Sequence, residues 1–504
     1  MCVKSPVTNT DLELAAPRGS AMLGGVGRKI GRWARARVPE LIALGVGVLL
    51  RLSMALTYDA RIGYDFNSHW PYIQYLVARH DLPALPYNAS SYHPPLYYLM
   101  AAFLVAHGLG AGALGWLAAL CGMIRLGIVW VGLERWLPES RLARIVALAL
   151  AAVIPPAVQL DGMITNETLF VLLAAAALVV TPAAIAATRA GRVGMMVGLG
   201  LLTALAMMSK ISASVLVMSV GAAIALEIAR AWPSWWPALR ARALPIVAGA
   251  VVLACLTGPF FIRNQILYGK MAPTGYEGAL KPNQAVYEGI PYFERRPLAF
   301  YVGWTPQIYA HPVVPTGLKP NARFFPVLIA TTFNDYYIYG YSGGGKYGQQ
   351  RWVSAAGVTL GCLSVAGGTL IALVTTTAWF GAVRRLWRRR RDGEPDPRFA
   401  LLLVPLIGLL GQLHFAVKYP NDDFGPIKGA YLQFVAPVLC AMFGVGVAWM
   451  WRRGRRLWRV GAVVALGGLA LVAVYSLHAR FPPLGKNANT AAPFFMQPGA
   501  EKWK

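Results

Sequence analysis

Five side chains able to take or give a proton crowd into one short stretch. Between Tyr64 and Met100 the chain carries Asp65, His69, His80, Asp81 and His93, set among tyrosine, tryptophan and proline, with long apolar segments on either side. A carboxylate beside lipid has a raised pKa unless it is paired, which suits a general base. Asp65 follows closely on the first apolar segment and is therefore the acid placed to act at a membrane surface. A helix cap or a solvated loop acid is the plainer alternative. His93 stands before Pro94 and Pro95, and proline restricts the residue before it, which aims the imidazole. It could touch a phosphate or, with His69, form part of a divalent-metal site, although no fixed-spacing ligand motif is present.

Cations recur near the same membrane face. Arg51 lies inside the first apolar segment, where an arginine faces a cavity or partner or else snorkels to the interface. Lys210 stands alone between two apolar segments, and Arg263 lies near the end of another. Arg51, Lys210 and Arg263 could share one phosphodiester, although each singly is more often an interfacial anchor. Asn166 and Glu167 open a further span, where an acid in the first turn is good helix chemistry. Glu167 beside Asp161 would face the same cavity. Gly340 to Tyr347 almost spells a P-loop, but it ends in Tyr347 rather than Ser or Thr and follows no strand, which excludes nucleotide binding there. Asn88-Ala89-Ser90 fits a glycosylation triplet that is common by chance.

These groups need elements to hold them, and composition says which. Of 504 residues 57% are hydrophobic and only 13% charged, too little charge for an ordinary soluble domain. Apolar windows of roughly 20 residues recur, the length of a membrane-crossing helix, and the alternation of a β-barrel is absent. The expected fold is an all-α polytopic membrane protein. The net charge of +26 gathers in short turns between apolar spans, which the positive-inside rule explains and which argues against a nucleic-acid partner. Cys2, Cys121, Cys255, Cys362 and Cys440 include no CxxC pair, so neither disulfides nor a zinc site is expected.

Eleven spans satisfy every strong basic turn: 41–57, 112–133, 145–160, 166–188, a fifth ending at Ser209, 211–229, 243–268, 352–383, 399–418, 430–451 and 460–478. Pro94–His107 is apolar but short, and is read as a half-inserted helix rather than a crossing. The basic N-terminal run then lies in the cytoplasm, the run Arg384 to Arg391 likewise, and the C-terminal tail outside. Both long loops, Asp161, Glu167 and Lys210 share the outer face of a plasma (inner) membrane.

Several short motifs, in their order along the chain, carry a resemblance. They are Asp65 in the first outer loop, His93-Pro94-Pro95-Leu96-Tyr97-Tyr98, Asn166-Glu167-Thr168-Leu169, Met208-Ser209-Lys210, Pro259-Phe260-Phe261-Ile262-Arg263-Asn264, and Lys428-Gly429-Ala430-Tyr431 running on to Pro437. Together they resemble the membrane-embedded GT-C glycosyltransferases that use polyprenyl-phosphate sugars. The nearest branches are the protein O-mannosyltransferases, the aminoarabinose transferases of lipid A and the Rgt-type lipopolysaccharide glycosyltransferases. The resemblance covers residues 40–270 and, loosely, 428–440. It departs at Phe66, Tyr92–His93 and Ala430, where the family often has other residues. It implies a GT-C-like bundle of about eleven transmembrane helices with two long outer loops. It implies Asp65 as catalytic carboxylate, His93, Lys210 and Arg263 on the donor phosphate, and Glu167 positioning the acceptor or a divalent metal ion. The partners it implies are a polyprenyl-phosphate-linked sugar, membrane lipids, and a lipid, glycan or protein acceptor.

The corresponding organisation is a basic cytoplasmic segment (1–39), a catalytic transmembrane module (40–268) with the first outer loop (58–107), a second outer loop (269–351), C-terminal transmembrane helices (352–478) and an outer tail (479–504). A transporter or flippase for a lipid-linked anion is the competing expectation; it calls for an inverted repeat, which the sequence does not display.

Overall fold

The structure is a computed structural model. It describes residues 37–478 except 188, 232, 275–288, 311–322, 335–354, 390–395, 421–425 and 454–455. The P-loop-like run, the N-terminal basic segment before Arg37 and the tail from 479 lie outside the described residues. Among those described, every regular element is helical.

The helices in chain order are α1 (Val38–Thr57), α2 (Phe66–Arg79), α3 (Leu96–Ala106), α4 (Ala111–Trp136), α5 (Arg141–Val153), α6 (Pro155–Leu160), α7 (Glu167–Ala186) and α8 (Arg189–Ser209). There follow α9 (Ala213–Ala229), α10 (Trp235–Tyr268), α11 (Leu298–Val302), α12 (Phe324–Phe333), α13 (Ala355–Arg389), α14 (Leu403–Lys418), α15 (Ala436–Arg452) and α16 (Arg456–His478). Eight helices among the described residues are long and apolar enough to cross a membrane. They coincide with α1, α4, α7, α8, α10, α13, α14 with its leading 3-10 turn, and α15 with its leading 3-10 turn. The other three expected spans differ, with local causes. The 145–160 segment is broken between α5 and α6, because Pro155 and Pro156 cannot continue the preceding helix and push Ile154 to an extended backbone. The 211–229 segment forms α9, of only 17 residues. The last falls within α16, whose apolar stretch among the described residues, Arg459–Leu471, is shorter than a full crossing. Leu96–Ala106, with 11 residues, is too short to cross by itself, as expected.

Packing sets the frame for the site. The main apolar core runs through α5, α7 and α15, with Phe170 of α7 tilted against Phe434 at 5.7 Å. A second core joins α2, α3 and α4 through Tyr72, Ile73, Tyr97, Tyr98 and Leu114. The first loop is therefore a packed layer. The second long loop also re-enters the protein: α12 buries Phe324, Val327 and Ala330, and Phe333 seals against Gly368 of α13. One end of the bundle is tied by ion pairs, Arg37 to Glu134 and Arg141 Nε to Glu40 at 3.0 Å.

Candidate active site

Asp65 is the residue before α2, and its backbone is left-handed at φ 57° and ψ 21°. Asp is one of the few residues with a side chain that adopts this region without heavy cost. Its carbonyl accepts the Ser68 and His69 amides at 2.8 and 2.9 Å, so the backbone starts the helix. The carboxylate makes no cap hydrogen bond. Asp59, six residues earlier, behaves oppositely: its carboxylate accepts the Arg61 amide at 3.0 Å and pairs with the Arg61 guanidinium at 2.8 Å. The cap reading therefore fits Asp59 and fails for Asp65.

The Asp65 carboxylate faces Lys428, with 4.0 Å between Oδ2 and Nζ, and 58% of its side chain is open to solvent. Lys428 and, less strongly, Lys210 act on it electrostatically, and His69 and His93 are near enough to influence it. Lys428 is the largest influence and holds the carboxyl below the usual carboxylate range, against the raised pKa expected of an unpaired acid near lipid. The correction has a simple cause: the acid has a partner, supplied from the far end of the chain.

Gly429 explains how that partner arrives. A Cβ there would fall within 2.6 Å of the Thr332 backbone nitrogen, so only glycine permits this approach to α12. The Gly429 amide donates to Thr331 Oγ1 at 2.9 Å and fixes the turn. The 3-10 segment Gly429–Val435 then presents Lys428 and Tyr431. Lys428 Nζ lies 5.3 Å from the Tyr64 ring centre and 5.7 Å from that of Tyr431. Lys210 Nζ lies 4.8 Å from the same Tyr431 ring. Both distances suit a cation–π contact. Lys210 pairs with Glu167, and both are buried. Asp65–Lys428 and Glu167–Lys210 are thus two ion pairs joined across one tyrosine ring.

The imidazoles flank this arrangement. His69 and His93 stack with 6.4 Å between ring centres. His69 Nδ1 lies 2.8 Å from the Tyr98 hydroxyl and 3.2 Å from that of Ser90. Burial pushes His69 down to about 4 and His93 well below its ordinary value, so both rings are neutral at neutral pH. His93 Nδ1 is buried without a hydrogen-bond partner. Asn88, the acceptor of the glycosylation triplet, instead builds a turn: its side-chain oxygen accepts the Ser90 and Ser91 amides at 2.8 and 2.9 Å, and its amide donates to the Ser68 carbonyl at 3.1 Å. That turn holds Ser90 against His69. Among the described residues no group of three or more His, Cys, Asp or Glu could hold a metal ion.

Other expected site residues lie at different removes. Arg263 reaches the Leu82 carbonyl at 3.5 Å and lies 5.9 Å from the Tyr268 ring centre. It acts electrostatically on Tyr72, which stacks on Tyr98 at 4.1 Å and so connects to His69. Arg51 and Asp161 pair with each other at 2.7 Å, both fully buried, and Arg125 of α4 joins Asp161 at 2.7 Å. Arg51 also donates to the Gly47 and Ala152 carbonyls at 2.9 and 3.1 Å. A Cβ at position 122 would collide with the Asp161 carboxylate, so Gly122 makes room for the cluster. None of these contacts reaches Asp65. Asp161 and Glu167 are held by different cations rather than sharing one. Lys428, Tyr431 and Arg125 were not among the residues the sequence nominated for a role.

No family model and no curated protein matches the chain. Solved structures similar to it include two of one transferase. One is the crystal structure of ArnT from Cupriavidus metallidurans bound to undecaprenyl phosphate: 15% identity, TM-score 0.43, covering 87% of this chain and 75% of that one. The other is ArnT from Cupriavidus metallidurans in the apo state: 16% identity, TM-score 0.38, covering 82% and 78%. Likenesses of this size carry no argument about activity, and what the chain does rests on its own site.

Proposed function

We propose that the chain is an integral membrane glycosyltransferase that moves a sugar from a polyprenyl-phosphate donor to a lipid-linked glycan, lipopolysaccharide or protein acceptor on the outer face of the membrane. The observation that carries the reading is the Asp65 carboxylate: ionised, solvent-reachable, not spent on capping its helix, and surrounded by two lysines and two neutral imidazoles.

In this reading Asp65 takes the proton from an acceptor hydroxyl while that oxygen attacks the anomeric carbon. The bond from that carbon to the phosphate oxygen breaks in the same inverting displacement, and the polyprenyl phosphate leaves with the electron pair. A pKa held low by Lys428 keeps the carboxylate ionised, ready to accept. Lys210, within reach of Tyr431 and opposite Glu167, stabilises charge developing on the leaving phosphate, and Arg263 and His93 complete that side. Preorganised charge of this kind costs no rearrangement during the reaction. Arg51 and Asp161 hold the bundle beneath the site rather than the donor.

The test is sugar transfer from a purified polyprenyl-phosphate sugar by detergent-solubilised protein. Transfer by the wild-type chain, lowered roughly 10²–10⁴-fold in Asp65→Asn, is the expected result. A well-folded wild-type protein that transfers none of a panel of hexose, pentose and aminopentose donors would overturn the proposal.

A further inference from the structure

A second site lies beside the break between α5 and α6. Arg51 Nε and Arg125 Nη2 both stand 2.7 Å from one oxygen, Oδ2 of Asp161, and all three residues are buried. Both arginines belong to helices long and apolar enough to cross a membrane. One carboxylate neutralises one guanidinium, and among the described residues no second acid pairs with either arginine. Arg51 spends Nη1 on the Gly47 and Ala152 carbonyls, and its Nη2 is buried with no partner. Arg125 donates from Nη2 to Asp161 and, among the described residues, to no other group. A buried charge is costly unless it is paired, so the surplus positive charge here calls for an anion.

There is room for one. Arg125 lines a cavity of about 20 Å³ where α4, α5 and α6 meet the start of α15. Gln433 is the other polar residue of its wall, and the rest is apolar, with Leu126, Val129, Ile154 and Pro437 among it. Roughly 10–15 Å³ of such volume holds one water-sized sphere, so the cavity admits a monatomic ion and is too small for a phosphate. A buried water wants roughly two to four polar partners, and it brings no charge. Arginine offers N–H donors and no acceptor, and the glutamine amide adds two more N–H groups. A wall that donates hydrogen bonds, carries surplus positive charge and is otherwise apolar suits a halide better than a water.

We propose that this cavity binds one chloride ion, held by the Arg125 guanidinium and the Gln433 amide and balancing the charge of the Arg51–Asp161–Arg125 cluster. Gln433 belongs to the 3-10 segment Gly429–Val435, and its amide also reaches the Gly429 carbonyl at 3.4 Å. The ion therefore ties α4 to the segment that presents Lys428 and Tyr431. It takes no part in the reaction assigned to Asp65.

The test uses the full-length protein in detergent, exchanged into gluconate, with chloride or bromide titrated in at constant ionic strength. The expected result is a melting temperature that rises by a few degrees and saturates with either halide. Arg125→Leu abolishes the rise, and Gln433→Leu weakens halide binding at least about tenfold. Anomalous diffraction from crystals grown in bromide should place a peak within hydrogen-bond distance of Arg125. Absence of that peak would overturn the proposal and leave the cavity to water. So would equal melting temperatures in chloride and gluconate, or a chloride response undiminished in Arg125→Leu, which marks a general salt effect. Should Arg125→Leu fail to fold, the wild-type titration and the bromide peak still decide.

Discussion

Replacing Asp161 by Asn would leave two guanidinium groups inside the bundle without a counter-charge. Arg51 and Asp161 are both completely buried, at 2.7 Å, and Arg125 is nearly so. Two cations and one anion make the native cluster +1; the Asn variant makes it +2, in a region where water cannot help. Breaking a buried ion pair by removing one partner costs about 3–5 kcal/mol. Here one carboxylate serves two cations, which places Asp161→Asn at or above the upper end of that range. Against a total stability of roughly 5–15 kcal/mol, that is enough to deplete the folded protein in membranes. Arg125→Leu removes the surplus cation and leaves Arg51 and Asp161 as a matched pair, so its cost is expected below about 2 kcal/mol. Asp161→Asn/Arg125→Leu should recover part of the loss. The assay is folded yield and thermal unfolding in detergent for the four proteins of this cycle. Wild-type stability in Asp161→Asn, or no recovery in the double variant, would refute the structural role and reopen Arg51 as a phosphate ligand.

Three further expectations concern the site. Lys428 lowers the Asp65 pKa, so the ionised base persists to lower pH than usual, and activity is present above that pKa and lost as pH falls through it. Lys428→Met should therefore shift the acid limb of the pH–rate profile to higher pH; an unmoved limb would separate Lys428 from Asp65. Burial holds His69 at about 4, so its titration should add no step near its ordinary pKa of roughly 6.5. An NMR titration of selectively labelled His69 with a midpoint near that value would contradict the burial. Lys210→Ala or Arg263→Ala should raise the apparent KM for the donor by the worth of a charge-assisted contact, about 1.5–3 kcal/mol; unchanged kinetics in both would remove them from the donor site.

The fold was largely legible because membrane helices announce themselves by length and apolarity, and eight of the expected spans coincide with helices of the right kind. The break at Ile154 was also written in the chain, since Pro155–Pro156 cannot continue a helix. The left-handed backbone at Asp65 was not, because Asp adopts it only when its surroundings demand it. At the site, Asp65, His69, His93, Glu167 and Lys210 do come together, because the packed first loop and the adjoining helix ends leave them few other places. Lys428 and Tyr431 were harder: they reach the site only through the close approach that Gly429 allows to α12, a long-range contact with no local pattern. Arg125 did carry a signal, as an arginine within an apolar span implies a buried partner. Arg51 carried the same signal, and the partner of both proves to be Asp161, which proximity in sequence had grouped with Glu167.

The most direct measurement is turnover of Asp65→Asn beside its melting temperature, with Asp59→Asn as control. Asn tolerates the left-handed backbone and the lost carboxylate capped nothing, so Asp65→Asn should melt near the wild-type temperature. Asp59 does cap its turn, so Asp59→Asn should cost stability of about 1 kcal/mol or less while keeping turnover. If Asp65 is the general base, sugar transfer from the polyprenyl-phosphate donor falls roughly 10²–10⁴-fold in a protein that remains folded. Turnover close to wild type in a well-folded Asp65→Asn protein would contradict the mechanism.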